Sequence, residues 1–497
     1  MAEGPANLAA ENEALRTDNT ALRGELEALR ADNESLRADN ESLRDRIARL
    51  EGELGQNSEN SSKPPSTDAL GPRQNRAERR RAARESLRRQ GKQPGAPGAN
   101  LARRAPEVVV PHSPAHCERC GEDLADAEVI GEVRRQVLDI EKVKVSTTEH
   151  VALRRRCRCG QENLGSFPPE ARAPVCWGPE VRALAVYLMD RQHLPLERTA
   201  ELLAELLDAP VSTGWLCAVQ AEAARNLEPF VAAAKQALLA SPVLHADETG
   251  TQVRLEKAWV HTLTSNLVTL LFVHPRRGRE ALEDLGLLKH YGGTLVHDGY
   301  SSYDAFESFV HAQCGAHILR HLESVGRTDR YAAWCAELKE TLLAARDASK
   351  AAAEAGRTKV ATRVAAPIRL RYHAALREAF SLLPPGPPPR RRHSGGWSTY
   401  QRDAWNLATR LKSHADDVLR LLDDTAVPLT NNAAEQALRM QKLHDKISGS
   451  FRSDDGARHF ATIRSYLQSA ALSGENRLEV LRQLFTTGAW TPAVSRT

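Results

Sequence analysis

Three carboxylates stand in sequence settings that could hold divalent cations. They are Asp247 in VLHADETGTQV, Asp298 in GTLVHDGYSSY and Glu435 in PLTNNAAEQALRMQKL. Carboxylate oxygens are hard ligands and select Mg²⁺, with Mn²⁺ as its substitute. Three of them can hold two ions about 4 Å apart, the arrangement for in-line displacement at phosphorus. One ion would activate the attacking oxygen and the other would steady the leaving one, so no side-chain nucleophile is needed. Arg439 and Lys442 follow Glu435 at i+4 and i+7 and share its helical face. Cations beside a metal-binding acid suit a phosphate backbone. A second constellation is Cys117-x-x-Cys120-Gly with Cys157-x-Cys159-Gly. Four thiolates on two tight turns make a closed tetrahedral Zn²⁺ site, structural because no ligand position is open. His112 and His116 could each replace a cysteine, and four unpaired thiols are the plain alternative.

These residues need elements to position them. From residue 241, VLHADETGTQV, KAWVHTLTS and VTLLFVHP read as three strands at hairpin spacing. After a helical stretch, GTLVHDGYSSY supplies a fourth strand ending at Asp298. Three antiparallel strands, a helix and another strand is the opening order of an RNase H-like fold. Glu248 is adjacent to Asp247, so strand alternation points it to the other face and makes it a poor third ligand. The third acid is expected from a later helix, capped by Thr430 or Asn431. The stretch 305–429 reads as helical, interrupted by PPGPPP at 384–389. Cys314-x-x-His317 falls at its start. The pair could bind metal, but packing or positioning near Asp298 is the favoured expectation. Between the cysteine pairs, RRQVLDIEKVKVSTTEHVALRRR alternates like strand. At 195–225, two helices around Asp208-Ala209-Pro210, the second capped by Ser212, fit a helix-turn-helix. A plain helical hairpin fits nearly as well.

The N-terminal region speaks of assembly. Leu8, Leu15, Leu22, Leu29, Leu36, Leu43 and Leu50 recur every seven residues. With leucine at d, position a holds Asn12, Asn19, Leu26, Asn33, Asn40, Ile47 and Leu54, a pattern for a parallel two-stranded coil. The facing pairs Glu11–Arg16, Asp18–Arg23, Glu25–Arg30, Asp32–Arg37, Asp39–Arg44 and Arg46–Glu51 are all of opposite sign. A homodimerisation zipper is expected, with a single solvated helix as the alternative. Residues 1–56 carry 7 basic and 13 acidic side chains, net −6, whereas residues 57–104 carry 12 and 4, net +8. The basic stretch, which includes Arg79, Arg80 and Arg81, cannot build a core and suits phosphate contacts.

Composition sets the outer limits. The 497 residues exceed one ordinary core. No apolar run reaches the roughly 18 residues of a membrane span. The N-terminus lacks the basic and apolar parts of a signal peptide. Eight cysteines are too sparse for a disulfide scaffold, so a cytoplasmic, reducing setting is expected.

Taken in order, the motifs form a specific set: NSSKPP, the cysteine pairs, LPLER, LHADET, HDGYSSY, CGAH, PLTNNAAEQALR and KISGSFRS. From NSSKPPSTD almost to the C-terminus, the chain closely resembles transposases of the IS66 family. The resemblance implies a DDE transposase with a zinc-binding N-terminal region and an RNase H-like catalytic domain. Its acids carry over to Asp247, Asp298 and Glu435. It also accounts for the separation of 137 positions from Asp298 to Glu435, as a helical insertion.

The fold expected is multidomain α+β. Residues 1–56 form a parallel coiled coil, 57–104 a flexible basic linker and 105–165 a small zinc-binding β module. Residues 166–240 form a helical, helix-turn-helix-like DNA-binding region. Residues 241–304 are the first part of the RNase H-like core and 305–429 its helical insertion. Residues 430–497 complete the core and add C-terminal helices. The chemistry implied is hydrolytic nicking at transposon ends, followed by strand transfer into target DNA from a 3′-hydroxyl. The partners implied are transposon-end and target DNA, a second copy through the zipper, and accessory proteins of the same element, in a bacterial, nucleoid-associated setting. Two other classes compete. A non-catalytic DNA-binding relative, acting as repressor or architectural protein, needs no metal acids. A plain RNase H-type nuclease needs neither zipper nor insertion.

Overall fold

The computed structural model describes residues 24, 32–34, 103–139, 145–388 and 397–492. Gly24 and Asp32, Asn33 and Glu34 are helical. The rest of the heptad segment, and the basic stretch with Arg79, Arg80 and Arg81, lie outside the described residues. The chain forms two compact units: Leu70–Glu149 with Ala204–Ala209, and the remaining residues.

In the smaller unit the chain around Cys117 turns back on itself. His116 bridges Asp123, and Leu124 N donates to Ala115 O at 3.0 Å. The alternating stretch between the cysteine pairs is mostly not strand, contrary to expectation. Of its described residues only Arg154–Arg156 (β1), which belong to the larger unit, are paired as strand, with Glu162–Leu164 (β2). The physical reason is visible in Val133, Val137 and Val151, all exposed. Alternation stabilises a strand only when one face is buried, and these described valines are not covered.

In the larger unit the helices Pro179–Val186 (α1), Leu196–Leu207 (α2), Thr213–Asn226 (α3) and Glu228–Ala240 (α4) precede the sheet. The expected pair of helices around Asp208 is present, and Ser212 caps α3 by accepting from Trp215 N. However, Leu216, Val219 and Ala223 of α3 are buried, and Gln220 donates to Asp190 Oδ1 at 2.7 Å. That contact commits Gln220 to the protein interior.

The sheet has the order β5-β4-β3-β6-β7. Strands Val243–Val253 (β3), Glu256–Thr264 (β4) and Thr269–His274 (β5) run antiparallel. Helix Arg279–Asp284 (α5) leads to Thr294–His297 (β6), parallel to β3, and Val310–Gln313 (β7) runs parallel to β6. β7 lies inside the stretch expected to be helical. It is only four residues long, too short for periodicity to reveal, and Phe306 and Phe309 before it pack into the sheet's core. Helical insertion therefore starts after Gln313.

Helices Gly315–Val325 (α6), Asp329–Glu354 (α7), Thr362–Leu382 (α8), Thr399–Ser413 (α9) and Ala415–Val418 (α10) follow. They bury Trp334, Leu338, Leu342, Tyr372 and Leu411 in a core of their own. The chain then returns to the sheet through Asn432–Ser448 (α11), Asp454–Leu472 (α12) and Arg477–Leu484 (α13). Helix α12 protects the sheet edge. Ser465 Oγ accepts from Leu271 N at 2.7 Å and Ser469 Oγ from Thr269 N at 3.0 Å, so β5 exposes no row of free donors there.

Gly315 joins the insertion to the core. Its N donates to Leu429 O at 2.7 Å, and a Cβ there would lie 2.4 Å from Leu429 Cδ1. Gly315→Ala is expected to destabilise the protein by about 1–3 kcal/mol through overpacking. An unchanged denaturation midpoint would refute this.

Candidate active site

Alternation along β3 sorts its side chains. Leu244 and Ala246 enter the core, whereas His245, Asp247 and Thr251 face α11. Burial pushes the Asp247 carboxyl from 3.8 up to about 8, and the negative charges of Glu248, Asp298 and Glu435 add to the rise. Those contributions bring Asp298, at the end of β6, and Glu435, in the first turn of α11, within electrostatic reach of Asp247 on β3. Arg277 and Arg320 stand 3.9 Å from Asp298 and Glu435 respectively, so the cluster has cations at its edge while Asp247 itself remains an acid raised by burial.

Asp298 follows β6 in a tight turn. Its Oδ1 accepts from Tyr300 N at 2.8 Å, and Gly299 between them has φ +83°. A side chain at Gly299 would meet that left-handed backbone and approach Gln313 Oε1 at 3.2 Å. Glu435 Oε1 lies 3.9 Å from both His317 Nδ1 and Arg320 Nη2, and it is buried without a hydrogen-bond partner.

Asn431 occupies the cap position of α11 but does not cap it. Its Nδ2 donates to Ala246 O at 2.7 Å, and its Oδ1 pairs with His245 Nδ1 at 3.0 Å. The expected helix cap is thus a tie between α11 and β3, one residue from Asp247. The side chain is fully buried, and both its polar atoms are spent on β3 rather than on the helix start.

Glu248, expected to point away from Asp247, still lies within electrostatic reach of both Asp247 and Asp298. It accepts from Arg277 Nε at 2.8 Å and from Tyr303 OH at 3.0 Å. Arg277 is stacked over Tyr300 and Trp259 and stands 3.9 Å from Asp298 Oδ2. Sequence reading missed Arg277, whose signal was the basic run PRRGR between β5 and α5. It also missed Arg320 and Arg410, from α6 and α9. Arg410 Nη2 bonds His321 Nδ1 at 3.1 Å, and burial lowers the guanidinium's affinity for its proton. Burial, with Arg320 and Arg410 alongside, pushes His317 down to about 4. Arg439 is exposed on α11, and Lys442 is half-buried.

Each cysteine pair forms a knuckle. Cys117 N donates to Glu122 O, and Gly121 N to Cys117 O, both at 2.8 Å. Cys157 N donates to Gln161 O at 2.8 Å, and Gly160 N to Cys157 O at 2.9 Å. The second turn is the first one shortened by a residue, as C-x-C is to C-x-x-C. Gly121 and Gly160 have φ +77° and +89°, which the turns require. Backbone N–H groups of Cys120 and of Cys159 point at the sulfurs of Cys117 and Cys157 and lower their pKa values. That favours the thiolate, the form that binds metal. Thiolates in pairs are the donors zinc prefers, but among the described residues the two pairs are not brought together into one group of ligand atoms.

Comparison with known families accords with these sites. The model described as "Transposase IS66 family" matches residues 174–459. The one described as "zinc-finger binding domain of transposase IS66" matches residues 114–160. A family of unknown function (DUF6444) matches residues 3–102. No curated protein matches the chain.

Proposed function

From the premise that the chain belongs to the IS66 family of transposases, we propose that it is a DDE-type enzyme cutting and joining DNA at transposon ends. What supports this is the convergence on Asp247 of two further acids, Asp298 and Glu435, from elements spread over 188 residues of sequence. The strand order, and acids on β3, after β6 and on α11, support reading the sheet as an RNase H-like core.

Asp247, Asp298 and Glu435 would hold the divalent cations. When bound, Mg²⁺ supplies Lewis-acid activation of the attacking oxygen and relief of charge on the leaving oxygen. Asn431 fixes the register of α11 on β3 and so the approach of Glu435 to Asp247. The Tyr300 N–H orients the Asp298 carboxylate. Arg277, held by Glu248 and flanked by two aromatic rings, offers a guanidinium beside Asp298 for a phosphate oxygen. Arg439 and Lys442 continue a cationic path along α11.

The remaining parts serve DNA. The cysteine pairs Cys117/Cys120 and Cys157/Cys159 would supply thiolates for structural Zn²⁺, and the zinc module and the α2–α3 region would bind the terminal repeats. Arg79, Arg80 and Arg81 contact phosphates. The heptad segment pairs two copies, matching two ends, and accessory proteins of the same element join them. No described helix is long and apolar enough to cross a membrane.

The test is cleavage of the element's own terminal repeats by purified protein with Mg²⁺, with Asp298→Ala as control. Cleavage at the repeat end that vanishes in the variant is expected. Equal cutting of unrelated duplexes would overturn the assignment. Chelating the zinc is expected to weaken repeat binding by at least about tenfold, given the dependence of knuckle folds on their metal. Unchanged binding by a zinc-free protein would refute that role.

A further inference from the structure

Cys314, His317 and Glu435 offer a thiol, an imidazole and a carboxylate whose ligand atoms lie within 4.8 Å of one another. Cys314 immediately precedes α6, and His317 stands in its first turn. Glu435 stands in the first turn of α11. The two helix starts are fastened together, since Gly315 N donates to Leu429 O at 2.7 Å and Asn431 N to Cys314 Sγ at 3.2 Å. The three groups are therefore held by rigid elements, not by a loop.

Two of the three ligand atoms have no partner. His317 Nδ1 and Glu435 Oε1 are both buried without a hydrogen bond, 3.9 Å apart. Arg320 Nη2, also 3.9 Å from that oxygen, is too far to satisfy it. Buried polar atoms left unpaired are rare and costly. A cation between them would satisfy both at once. Ligand bonds of about 2.0–2.3 Å in tetrahedral geometry bring donors to roughly 3.3–3.8 Å of one another. Small side-chain rotations close the distances observed.

The donor types choose the ion. Sulfur and imidazole nitrogen favour Zn²⁺, Co²⁺ or Cd²⁺ over Mg²⁺. The Asn431 N–H at the sulfur is the outer contact that a metal-bound thiolate uses. We propose that Cys314, His317 and Glu435 form a binding site for a thiophilic divalent cation. It shares one ligand, Glu435, with the hard-oxygen site. Its consequence, which rests on the DDE reading, is that a soft ion here withdraws Glu435 from Mg²⁺ and so opposes DNA cleavage.

The full chain, with its knuckle zinc retained, would be titrated with Co²⁺ and read by ions bound per chain and by thiolate-to-cobalt absorption. Wild type is expected to gain one ion and a new absorption band. Cys314→Ser and His317→Asn, checked for native melting, are expected to lose the band and weaken binding at least tenfold. Asp247→Asn is expected to keep the band, since Asp247 is not a ligand here. The proposal is overturned if Cys314→Ser binds the same number of ions with the same spectrum, or if Glu435→Gln leaves the affinity unchanged. Because the readout is binding, it stands or falls separately from cleavage. A chain that never cuts DNA would still show the band, and a missing band would leave the DDE reading intact.

Discussion

Asp247→Asn is expected to abolish Mg²⁺-dependent cleavage and, at the same time, to stabilise the protein at alkaline pH when no Mg²⁺ is added. The first effect follows from losing an anionic ligand. Metal-assisted charge stabilisation contributes several kcal/mol to such displacements, and at 1.36 kcal/mol per decade its loss costs roughly a thousandfold or more. The second follows from linkage. Folding raises the Asp247 pKa from 3.8 to about 8. The folded state therefore holds the proton more tightly than the unfolded one. The stability from this group is fully present below about pH 4 and is lost as pH climbs through about 8. The loss is on the order of a few kcal/mol. Glu248 is shifted the same way, chiefly by burial with the Asp298 charge beside it, and adds to the slope. Urea melts at pH 5 and pH 8 check the sign. Wild type should weaken over that interval and regain stability with Mg²⁺, whereas Asp247→Asn should weaken less and ignore Mg²⁺. Parallel slopes for the two proteins would show that Asp247 is not the strained acid.

Much of this site is legible in the sequence, and the reasons are physical. β3, β4 and β5 are short apolar runs at hairpin spacing because helices cover both faces of the sheet, and such runs survive reading without coordinates. Asp247 and Asp298 could be placed because one lies inside such a run and the other ends one. Glu435 could be placed because its helix begins at a recognisable polar start. β7 could not, because four residues at a sheet's far side carry no period. The strand expected between the cysteine pairs failed for the opposite reason. Its alternation is real, but Val133, Val137 and Val151 have nothing to pack against. Arg277, Arg320 and Arg410 were invisible because their roles depend on which distant elements meet. An arginine in sequence is a solvated charge until Glu248 or His321 is found beside it. The same limit applies to Cys314 and His317. Spacing marks them as a pair, but only the fold brings Glu435 to within reach.

Asn431 shows how far positioning can be separated from stability. Asn431→Ala removes both bonds of a fully buried amide, those to Ala246 O and to His245 Nδ1. At about 1–3 kcal/mol for each partner removed from a buried polar group, the protein should lose roughly 2–5 kcal/mol. Catalysis should suffer independently. The lost ties flank Asp247 and sit one turn before Glu435, so the acids are no longer held in register. Misplacement by about 1 Å can cost on the order of a hundredfold in rate. Asn431→Asp separates the two causes further. It keeps an oxygen for His245 but replaces the donor facing Ala246 O, 2.7 Å away, with a second acceptor. It should therefore be no milder than alanine despite its matched size. Ser465→Ala is the control, because it removes the bond to Leu271 N at the distant sheet edge. Both Asn431→Ala and Ser465→Ala should lower the denaturation midpoint. Only Asn431→Ala should raise the Mg²⁺ concentration needed for half-maximal cleavage. If both variants shift the Mg²⁺ requirement alike, Asn431 merely stabilises the fold, and the approach of Glu435 to Asp247 is set elsewhere.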